Sequence, residues 1–397
     1  MGIPELHISI AGAGVAGLAS AIAVSQHGHS VTVFEQAARL ETIGAGLQLG
    51  PNAVRVLEGL GVWDALEAQC FAPARIRICD AISGRQLSAL ELGDSFTRRF
   101  GSPYRVAHRA DLIGALAQTA SCNSNITIVK DCRITGLQPG KPTGLKTLSG
   151  EIHESDLVIA ADGIRSALRA HIAAGSEPRQ SGETLYRALA PTSDLPDALD
   201  RDAVYLWLAP GAHVVHYLVS GGRQLNIVAS IEQPADQTGW NNIASRNDVL
   251  GALPGVTSAL HELLSTPASW LAWTGADLEP FTAWSRDNCV LVGDAAHASL
   301  PYLAQGAAMA LEDAACLAAC LGGGGDNLKA ALARYEKIRQ PRTARIVEES
   351  RRNAGIYHMR GPKAQARNLA LRLLPGSMQL QRLAWIYSPS PNREPSA

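Results

Sequence analysis

The segment that most constrains the fold begins at residue 6. A short apolar run at residues 6–11 leads directly into the glycine pattern Gly12-Ala13-Gly14-Val15-Ala16-Gly17, and residues 18–25 continue with helical spacing. The first glycine permits a tight turn, the second lets a pyrophosphate approach the backbone, and the third lets helix and strand pack closely. The pattern therefore predicts a strand, a glycine turn and a helix that bind a dinucleotide.

The next predicted strand supplies an acid to the same site. Residues 31–34 are β-branched or aromatic, and Glu35 follows them at the carboxyl end. A carboxylate there accepts hydrogen bonds from the adenosine ribose hydroxyls and disfavours a 2′-phosphate by charge. We assign Glu35 and the adjacent Gln36 to the predicted nucleotide site.

Two later apolar runs also end in a turn that carries an acid. The strand predicted at residues 156–161 leads to Asp162-Gly163, and the run at residues 289–292 leads to Gly293 and Asp294. Asp162 taken alone is also consistent with a helix-capping turn. The second turn continues through Pro301 and Tyr302 to Gln305-Gly306-Ala307-Ala308, which opens an alanine-rich predicted helix.

Three further segments show weaker patterns. Residues 44–52, which include Gln48, are too glycine-rich for a regular element. This composition favours either a loop that lies against a flat ligand or a simple connection. Arg109 opens a predicted helix, and taken alone its position favours the surface. Residues 328–350 predict a helix interrupted at Pro341.

Short alternating stretches fill residues 180–277 and predict an antiparallel sheet. The period of two places His213 and Tyr217 on one face of the strand at residues 213–219. Such residues are either packed core side chains or parts of a site.

Charge and cysteine usage exclude several classes of function. The chain has 397 residues with 35 Lys and Arg against 36 Asp and Glu, so the charge favours neither nucleic acid nor an anionic membrane as a partner. Seven cysteines without a CxxC pair indicate reduced thiols, and no metal site is predicted. We expect no signal segment or membrane span, and hence a cytoplasmic protein that acts on a small molecule as a monomer or homodimer.

In this order, GAGVAG with Glu35, DLVIAADGIRSALR, and LVGDAAHASLPYLAQGAAMALEDA resemble the three signatures of FAD-dependent aromatic hydroxylases. These are class A flavoprotein monooxygenases with the p-hydroxybenzoate hydroxylase fold. GLQLGPNA, YRALAP and PYLAQGAA are most similar to the salicylate hydroxylase-like branch.

The resemblance implies a role for each matched residue. Arg109 would contact the phosphate or ribityl region of FAD, Asp294 the ribityl chain, and the backbone at residues 305–308 the pyrimidine edge of the flavin. Pro301 and Tyr302 would line the face of the flavin that reacts with oxygen, and His213 and Tyr217 are the candidates for the base near the substrate. The implied FAD site comprises Gly12, Gly14, Val15, Ala16, Gly17, Glu35, Gln36, Gln48, Arg109, Asp162, Gly163, Asp294, Gln305, Gly306, Ala307 and Ala308.

The family implies that NADH or NADPH reduces FAD from a transiently occupied surface. A C4a-hydroperoxyflavin then hydroxylates a small phenolic or N-heteroaromatic substrate similar to hydroxybenzoate or salicylate. Two alternatives stay open from the sequence: an FAD oxidoreductase of the same fold that does not insert oxygen, and a non-catalytic flavin-binding sensor.

The predicted fold class is α/β, with a Rossmann-like FAD-binding domain, an inserted and mostly antiparallel substrate-binding sheet, and C-terminal helices. The FAD-binding domain is predicted at 1–75, 103–178 and 279–350, and the sheet domain at 76–102 and 179–278. C-terminal helices are predicted at 351–387, and a disordered tail at 388–397.

Overall fold

The computed structural model describes residues 3–40, 45–233, 242–322 and 327–388. Nearly all of the predicted tail lies outside them. Its strands are β1 (His7–Ala11), β2 (Ser30–Phe34), β3 (Gly46–Leu49), β4 (Arg75–Asp80), β5 (Gln86–Glu91), β6 (Arg105–His108), β7 (Ile126–Val129), β8 (Ile134–Gln138), β9 (Thr143–Thr147), β10 (Ile152–Ser155), β11 (Leu157–Ala160), β12 (Arg179–Pro191), β13 (Ala203–Ala209), β14 (Ala212–Val219), β15 (Gln224–Ile231), β16 (Asn242–Ala244), β17 (Trp270–Asp277), β18 (Ser285–Arg286) and β19 (Cys289–Leu291).

The helices alternate with these strands in the first half of the chain and dominate its end. They are α1 (Val15–Ser25), α2 (Pro51–Gly59), α3 (Trp63–Glu67), α4 (Asp94–Phe100), α5 (Arg109–Ser121), α6 (Arg169–Ile172), α7 (Arg246–Ala252), α8 (Ser258–Ser265), α9 (Asp294–His297), α10 (Gly306–Gly322), α11 (Leu328–Tyr357), α12 (Gly361–Leu373) and α13 (Gly376–Tyr387).

A six-stranded sheet carries the predicted nucleotide-binding part, in the order β18-β19-β11-β1-β2-β7. Five of its strands are parallel, and only β18 runs antiparallel, to β19. The strands β11 and β19 are continuous apolar runs, and every residue of β1 after His7 is buried, because both faces of the sheet are covered. Their carboxyl ends are neighbours, which brings the turns after residues 11, 160 and 291 to one edge of the sheet.

An eight-stranded sheet forms the second layer, in the order β16-β17-β12-β15-β14-β13-β4-β5. All of its pairs are antiparallel except β13 with β4. The predicted fold class, a parallel Rossmann-like core with a separate antiparallel sheet and C-terminal helices, is confirmed. The exact domain limits remain a proposal.

Two predictions about single elements are wrong. Residues 46–49 form the strand β3, which pairs with β6, although the glycine-rich sequence predicts no regular element. Helix α11 continues through Pro341, because residues on both sides of the proline, among them Arg339 and Thr343, are buried against the rest of the protein. Within the described residues no helix has the length and apolar character to cross a membrane.

Candidate functional site

The glycine turn between β1 and α1 has the geometry that dinucleotide binding requires. Gly12 has a φ of +99°, and a Cβ on Gly17 would lie 1.8 Å from the Gly12 carbonyl oxygen. A Cβ on Gly14 would meet no atom within 4 Å. Gly12 and Gly17 therefore let the turn and helix pack, whereas Gly14 leaves its surface open at the amino-terminal end of α1, where a pyrophosphate is stabilised.

Glu35 lies against this turn. Its carboxylate accepts hydrogen bonds from the backbone N–H groups of Ala13 and Ala37, each at 2.8 Å. A carboxylate can accept further bonds, so two remaining lone pairs are free for ribose hydroxyls. Gln36 is exposed beside it.

Asp162 has the geometry of a capping residue. Its carboxylate accepts from the backbone N–H groups of Ala167 at 2.8 Å and Leu168 at 3.2 Å. Burial raises the pKa of this carboxyl group, and its Oδ1 has no hydrogen-bond partner among the described residues. The neighbouring Gly163 has a φ of +77° and lines the cavity described next.

A cavity of about 270 Å³ runs along this edge from the glycine turn to the eight-stranded sheet. The pairing of β3 with β6 brings residues 46–48 beside the start of α5, so that Gln48 and Arg109 line the same wall. Many of the residues implied by the family resemblance line it: Gly14, Val15, Ala16, Gln48, Arg109, Gly163, Asp294, Pro301, Gly306 and Ala307, together with His213 and Tyr217.

The remaining implied residues lie behind this surface. Ala308 is fully buried, Gln305 is 3% exposed, and neither lines the cavity. The Gln305 amide oxygen accepts from Asn52 Nδ2 at 2.9 Å. Gly12 and Gly17 support the turn, as described above.

A buried polar network holds the loop that contains Gln305. Asn52 Nδ2 also donates to Glu312 at 2.7 Å, and Glu312 accepts from Arg339 at 2.8 Å. Arg339 Nε donates to Asp313 at 2.7 Å, and Asp313 lies 2.5 Å from His297 Nε2. His297 therefore serves this network rather than the cavity.

The eight-stranded sheet closes the far end of the cavity. His213 and Tyr217 project from the same face of β14, as the alternation predicts, with Val215 between them. Burial raises the pKa of Tyr217, so this phenol is neutral at pH 7. The Tyr217 ring lies where a Cβ on Gly46 would be, which explains glycine at position 46.

His213 is a buried neutral imidazole. Burial and the neighbouring His358 lower its pKa well below the usual range, and His213 itself is 3% exposed. Its Nδ1 lies 3.0 Å from His358 Nε2. Its Nε2 has no hydrogen-bond partner within the described residues, so it is free to act toward a molecule in the cavity.

Pro301 and Tyr302 lie on different sides of this wall. Pro301 lines the cavity, whereas the Tyr302 side chain is buried and donates to Glu183 Oε2 at 2.5 Å. Burial raises the pKa of Glu183. Tyr302 instead lines a second, mostly apolar cavity of about 280 Å³ between the sheet and the C-terminal helices, which shares His213 and Pro301 with the first.

Sequence reasoning missed three side chains at this site. Arg187 on β12 lines the cavity and stacks over Trp273, 4.1 Å from its ring centroid, and its Nε has no hydrogen-bond partner within the described residues. Burial lowers its pKa to about 10, so it remains charged at pH 7. No sequence pattern pointed to Glu183 or His358, because each contacts the site through a residue distant in sequence, Tyr302 or His213. The YRALAP match contained Arg187, but no pattern showed which way it points.

Comparison with known proteins agrees with this geometry. The sequence matches the FAD binding domain family over residues 5–350. It is 34% identical over 379 residues to 3-hydroxybenzoate 6-hydroxylase of Klebsiella oxytoca, covering 95% of each chain. It is also 34% identical over 384 residues to 3-amino-4-hydroxybenzoate 2-monooxygenase of Streptomyces cremeus, covering 96% of this chain and 95% of the relative.

A solved structure with a similar fold is a salicylate hydroxylase substrate complex. Its TM-score is 0.81 at 25% identity, and the match covers 96% of this chain and 95% of that one. The parallel sheet, the glycine turn and these matches define a flavoprotein. The chain belongs to the FAD-dependent aromatic hydroxylases, as its sequence motifs predict, and it is a flavoprotein monooxygenase with FAD as its cofactor.

The cavity fits this cofactor. Its open glycine surface and the amino-terminal ends of α1 and α10 suit the phosphates and the electron-rich edge of the flavin, and Arg109 and Asp294 line the same cavity.

Proposed function

We propose that this protein hydroxylates a small aromatic acid that carries a phenolic hydroxyl, with NADH or NADPH as reductant and molecular oxygen as co-substrate. The observation that carries the proposal is one cavity that joins the glycine turn and α10 to a free imidazole nitrogen, His213 Nε2, and an unpaired guanidinium edge, Arg187 Nε. The names of the two curated relatives support a hydroxybenzoate-like substrate.

Each residue has a distinct part in this proposal. Bound FAD supplies the oxygen-transfer chemistry, and the protein binds and orients both ring systems. Gly14, Arg109 and Asp294 hold the cofactor, with the backbone of residues 305–308 at the flavin edge. His213 Nε2 takes the proton of the substrate hydroxyl, because an ionised phenol is the more electron-rich ring.

Arg187 faces the carboxylate of the substrate. Its guanidinium is held by Trp273 and offers N–H donors to an anion in the cavity. Tyr217, neutral and on the same face of the sheet, supplies a hydroxyl beside it. The apolar wall formed by Val215 and Val228 excludes water from the ring between them. Pro301 lines the opposite side of the cavity, and the buried Tyr302 follows Pro301 and lies outside this cavity.

The test begins with the FAD-loaded protein. NADH and NADPH oxidation, oxygen uptake and product formation are measured with 3-hydroxybenzoate, salicylate and hydroxypyridine carboxylates, and with the same phenols lacking a carboxylate. We expect substrate-stimulated turnover and a hydroxylated acid. Reduction of FAD without any hydroxylated product would instead support an oxidoreductase that does not insert oxygen. The rates with NADH and with NADPH show which of the two reductants the protein prefers. We further expect a cytoplasmic protein that acts as a monomer or homodimer.

Two variants test the assigned residues. His213→Ala should lower hydroxylation by roughly 10²- to 10⁴-fold at unchanged FAD content, as expected for loss of a general base. His261→Ala, at an exposed position on α8, is the matched control.

Arg187→Met should raise KM for the acids by roughly 10- to 100-fold and leave KM for the carboxylate-free phenols unchanged. Equal effects on the acids and on the carboxylate-free phenols would show that Arg187 does not bind the carboxylate.

A further inference from the structure

The second cavity, between the eight-stranded sheet and the C-terminal helices, adjoins the first. It measures about 280 Å³, and both cavities share the wall residues Gln48, His213, Val215, Pro301 and Ala304. His213 and Val215 project from one face of β14, so both cavities lie over that face. An aromatic ring bound beside these two residues therefore borders both spaces.

A row of side chains across the eight-stranded sheet forms the floor of both cavities. Residues paired on neighbouring strands lie side by side on one face, and the registers place five of them in one line: Arg187 on β12, Val228 on β15, Val215 on β14, Leu206 on β13 and Ile78 on β4. The first three line the first cavity, and the last three line the second. With strands about 4.8 Å apart, the row is roughly 19 Å long, charged at one end and apolar at the other.

The walls of the second cavity favour an apolar occupant. Aliphatic side chains from β4, β5, β13 and the C-terminal helices supply most of its surface, among them Ile76, Leu90, Val204, Leu371, Leu383 and Ile386. A molecule that fills this space therefore gains affinity by moving apolar surface out of water.

The polar side chains of the second cavity already have partners in the protein. Tyr104 donates to Gln48 at 2.5 Å, and Gln379 Nε2 donates to Ser88 at 2.7 Å. Tyr302 donates to Glu183, as described above. Arg382, the one charged side chain in the described part of this wall, is exposed. The second cavity thus has no counterpart of the buried Arg187 to select a carboxylate.

The size of the second cavity also indicates a binding site. Protein interiors contain few voids larger than a water molecule, because a large void lowers stability. An apolar cavity of such a size takes up apolar molecules. The first cavity, at about 270 Å³, has to hold flavin beside the reacting ring, so any further part of the substrate finds its room in the second.

We propose that the substrate is an aromatic acid whose ring carries an apolar extension opposite the carboxylate, and that the second cavity binds this extension. This inference rests on the proposed function, in which Arg187 faces the carboxylate and His213 takes the proton of the ring hydroxyl.

The side chains around the ring determine which substituent enters the second cavity. With the carboxylate at Arg187, the direction across the ring follows the row past Val215 to Ile78. His213 and Tyr217 lie two residues before and after Val215 on the same face, so they flank the ring on its two sides. The hydroxyl beside His213 is then a lateral group, and the group opposite the carboxylate extends over Leu206 and Ile78.

The first test is a series of ligands with the FAD-loaded wild-type protein. 3-Hydroxybenzoate is compared with 3-hydroxybenzoates that carry an alkyl chain of one, three or five carbons at carbon 4, opposite the carboxylate. Each added carbon should lower Kd and KM by roughly threefold, as burial of a methylene group predicts. Isomers with the same chain at carbon 5 are the matched control. Their chain points along β14 toward Tyr217, so they should gain no affinity.

Titration calorimetry without NADH or NADPH measures binding apart from catalysis. The heat capacity change of binding should become more negative as the chain at carbon 4 grows, because more apolar surface leaves water. A Kd that stays constant or rises with the length of this chain would overturn the inference.

Two variants fill the second cavity with a side chain. Ile78→Trp fills it from the sheet and Leu383→Trp from α13, so that either variant serves where the other folds poorly. Each should reduce the preference for the five-carbon acid over 3-hydroxybenzoate, expressed as the ratio of their Kd values, by roughly tenfold or more. Ile82→Trp makes the same exchange at a 44% exposed isoleucine that lines neither cavity, and it should keep the wild-type ratio.

The outcomes separate the two proposals. If the chain at carbon 4 strengthens binding but none of the acids is hydroxylated, the second cavity binds the extension and the proposed function is wrong. If the acids are hydroxylated without any gain from the chain, and the two filling variants keep the wild-type ratio, the proposed function stands and the inference is wrong.

Discussion

At the scale of single residues, the same residue type serves different purposes according to its surroundings. Gly17 touches the backbone of Gly12, whereas Gly14 faces open space. The sequence predicts both from one motif, because the strand, turn and helix lie next to each other in the chain. Arg187 and His358 could not be predicted in this way. Their positions depend on contacts with Trp273 and His213, and no local pattern records contacts between distant parts of the chain.

The glycines give a prediction that separates folding from binding. Gly17→Ala places a Cβ 1.8 Å from a backbone oxygen that cannot move freely, so we expect a loss of about 3 kcal/mol or more in the free energy of unfolding. Gly14→Ala should fold normally and weaken FAD binding, because its methyl group occupies the open surface.

Urea unfolding and FAD titration measure the two effects. Gly114, on α5, has equally open space for a Cβ and supplies a control, Gly114→Ala, in which neither quantity should fall. Normal FAD affinity in Gly14→Ala would show that the pyrophosphate lies elsewhere.

At the scale of elements, tertiary packing decides what local sequence leaves open. Pro341 removes one N–H from α11, yet the helix continues because its inner face packs on α10 through Arg339 and the acids opposite it. The strand β3 forms in a glycine-rich segment because β6 supplies hydrogen bonds to it. Periodicity and turn residues describe one element at a time, so they predict neither the packing of α11 on α10 nor the pairing of β3 with β6.

The contact between α10 and α11 gives a prediction about buried charge. Arg339→Met leaves the Glu312 and Asp313 carboxylates buried with fewer partners, so it should lower the free energy of unfolding by about 3 to 5 kcal/mol. Arg352→Met, on the same helix, removes an exposed pair with Glu349 and should cost less than about 1 kcal/mol.

Urea unfolding of both variants makes this comparison. The network also holds Asn52 and Gln305, so Arg339→Met should bind FAD less tightly at the flavin loop. Equal stability of the two variants would mean that the buried acids find other partners.

At the scale of the whole molecule, two sheets share one cavity. The parallel sheet was predictable, because three apolar runs that each end in a turn define its cofactor edge. The insertion of the antiparallel sheet was predictable too, because the apolar run at residues 289–292 follows that sheet and again resembles the strands of the first fold. That both sheets line one cavity was implied only by the family resemblance. The face of the second sheet that meets the shared cavity followed from alternation in β14. The closure of the second cavity by α11 and the C-terminal helices did not follow from the sequence, since it depends on packing between segments more than one hundred residues apart.

The buried histidines predict how the stability of the whole molecule depends on pH. Burial lowers the pKa of His216 to about 3, and its Nδ1 accepts a hydrogen bond from Trp207 Nε1 at 3.2 Å. The unfolded chain binds a proton near pH 6.5, whereas the folded protein leaves His216 neutral. Its contribution to stability is therefore complete above pH 6.5 and is lost as the pH falls toward 3, by about 1.4 kcal/mol per pH unit for one histidine.

His216→Gln keeps an acceptor for Trp207 but removes the titrating group. Its free energy of unfolding should fall less steeply between pH 7 and 5 than that of the wild type, by roughly 2 kcal/mol over that interval. Below about pH 4.5 both proteins should lose stability faster. The arginine and histidine partners of Glu312 and Asp313 lower the pKa values of these carboxyl groups in the folded protein in spite of burial. The two groups therefore bind protons in the unfolded state at a higher pH than in the folded state. Urea unfolding of the FAD-saturated proteins at each pH measures the difference, and parallel curves for the two proteins would show that His216 is not the group that titrates.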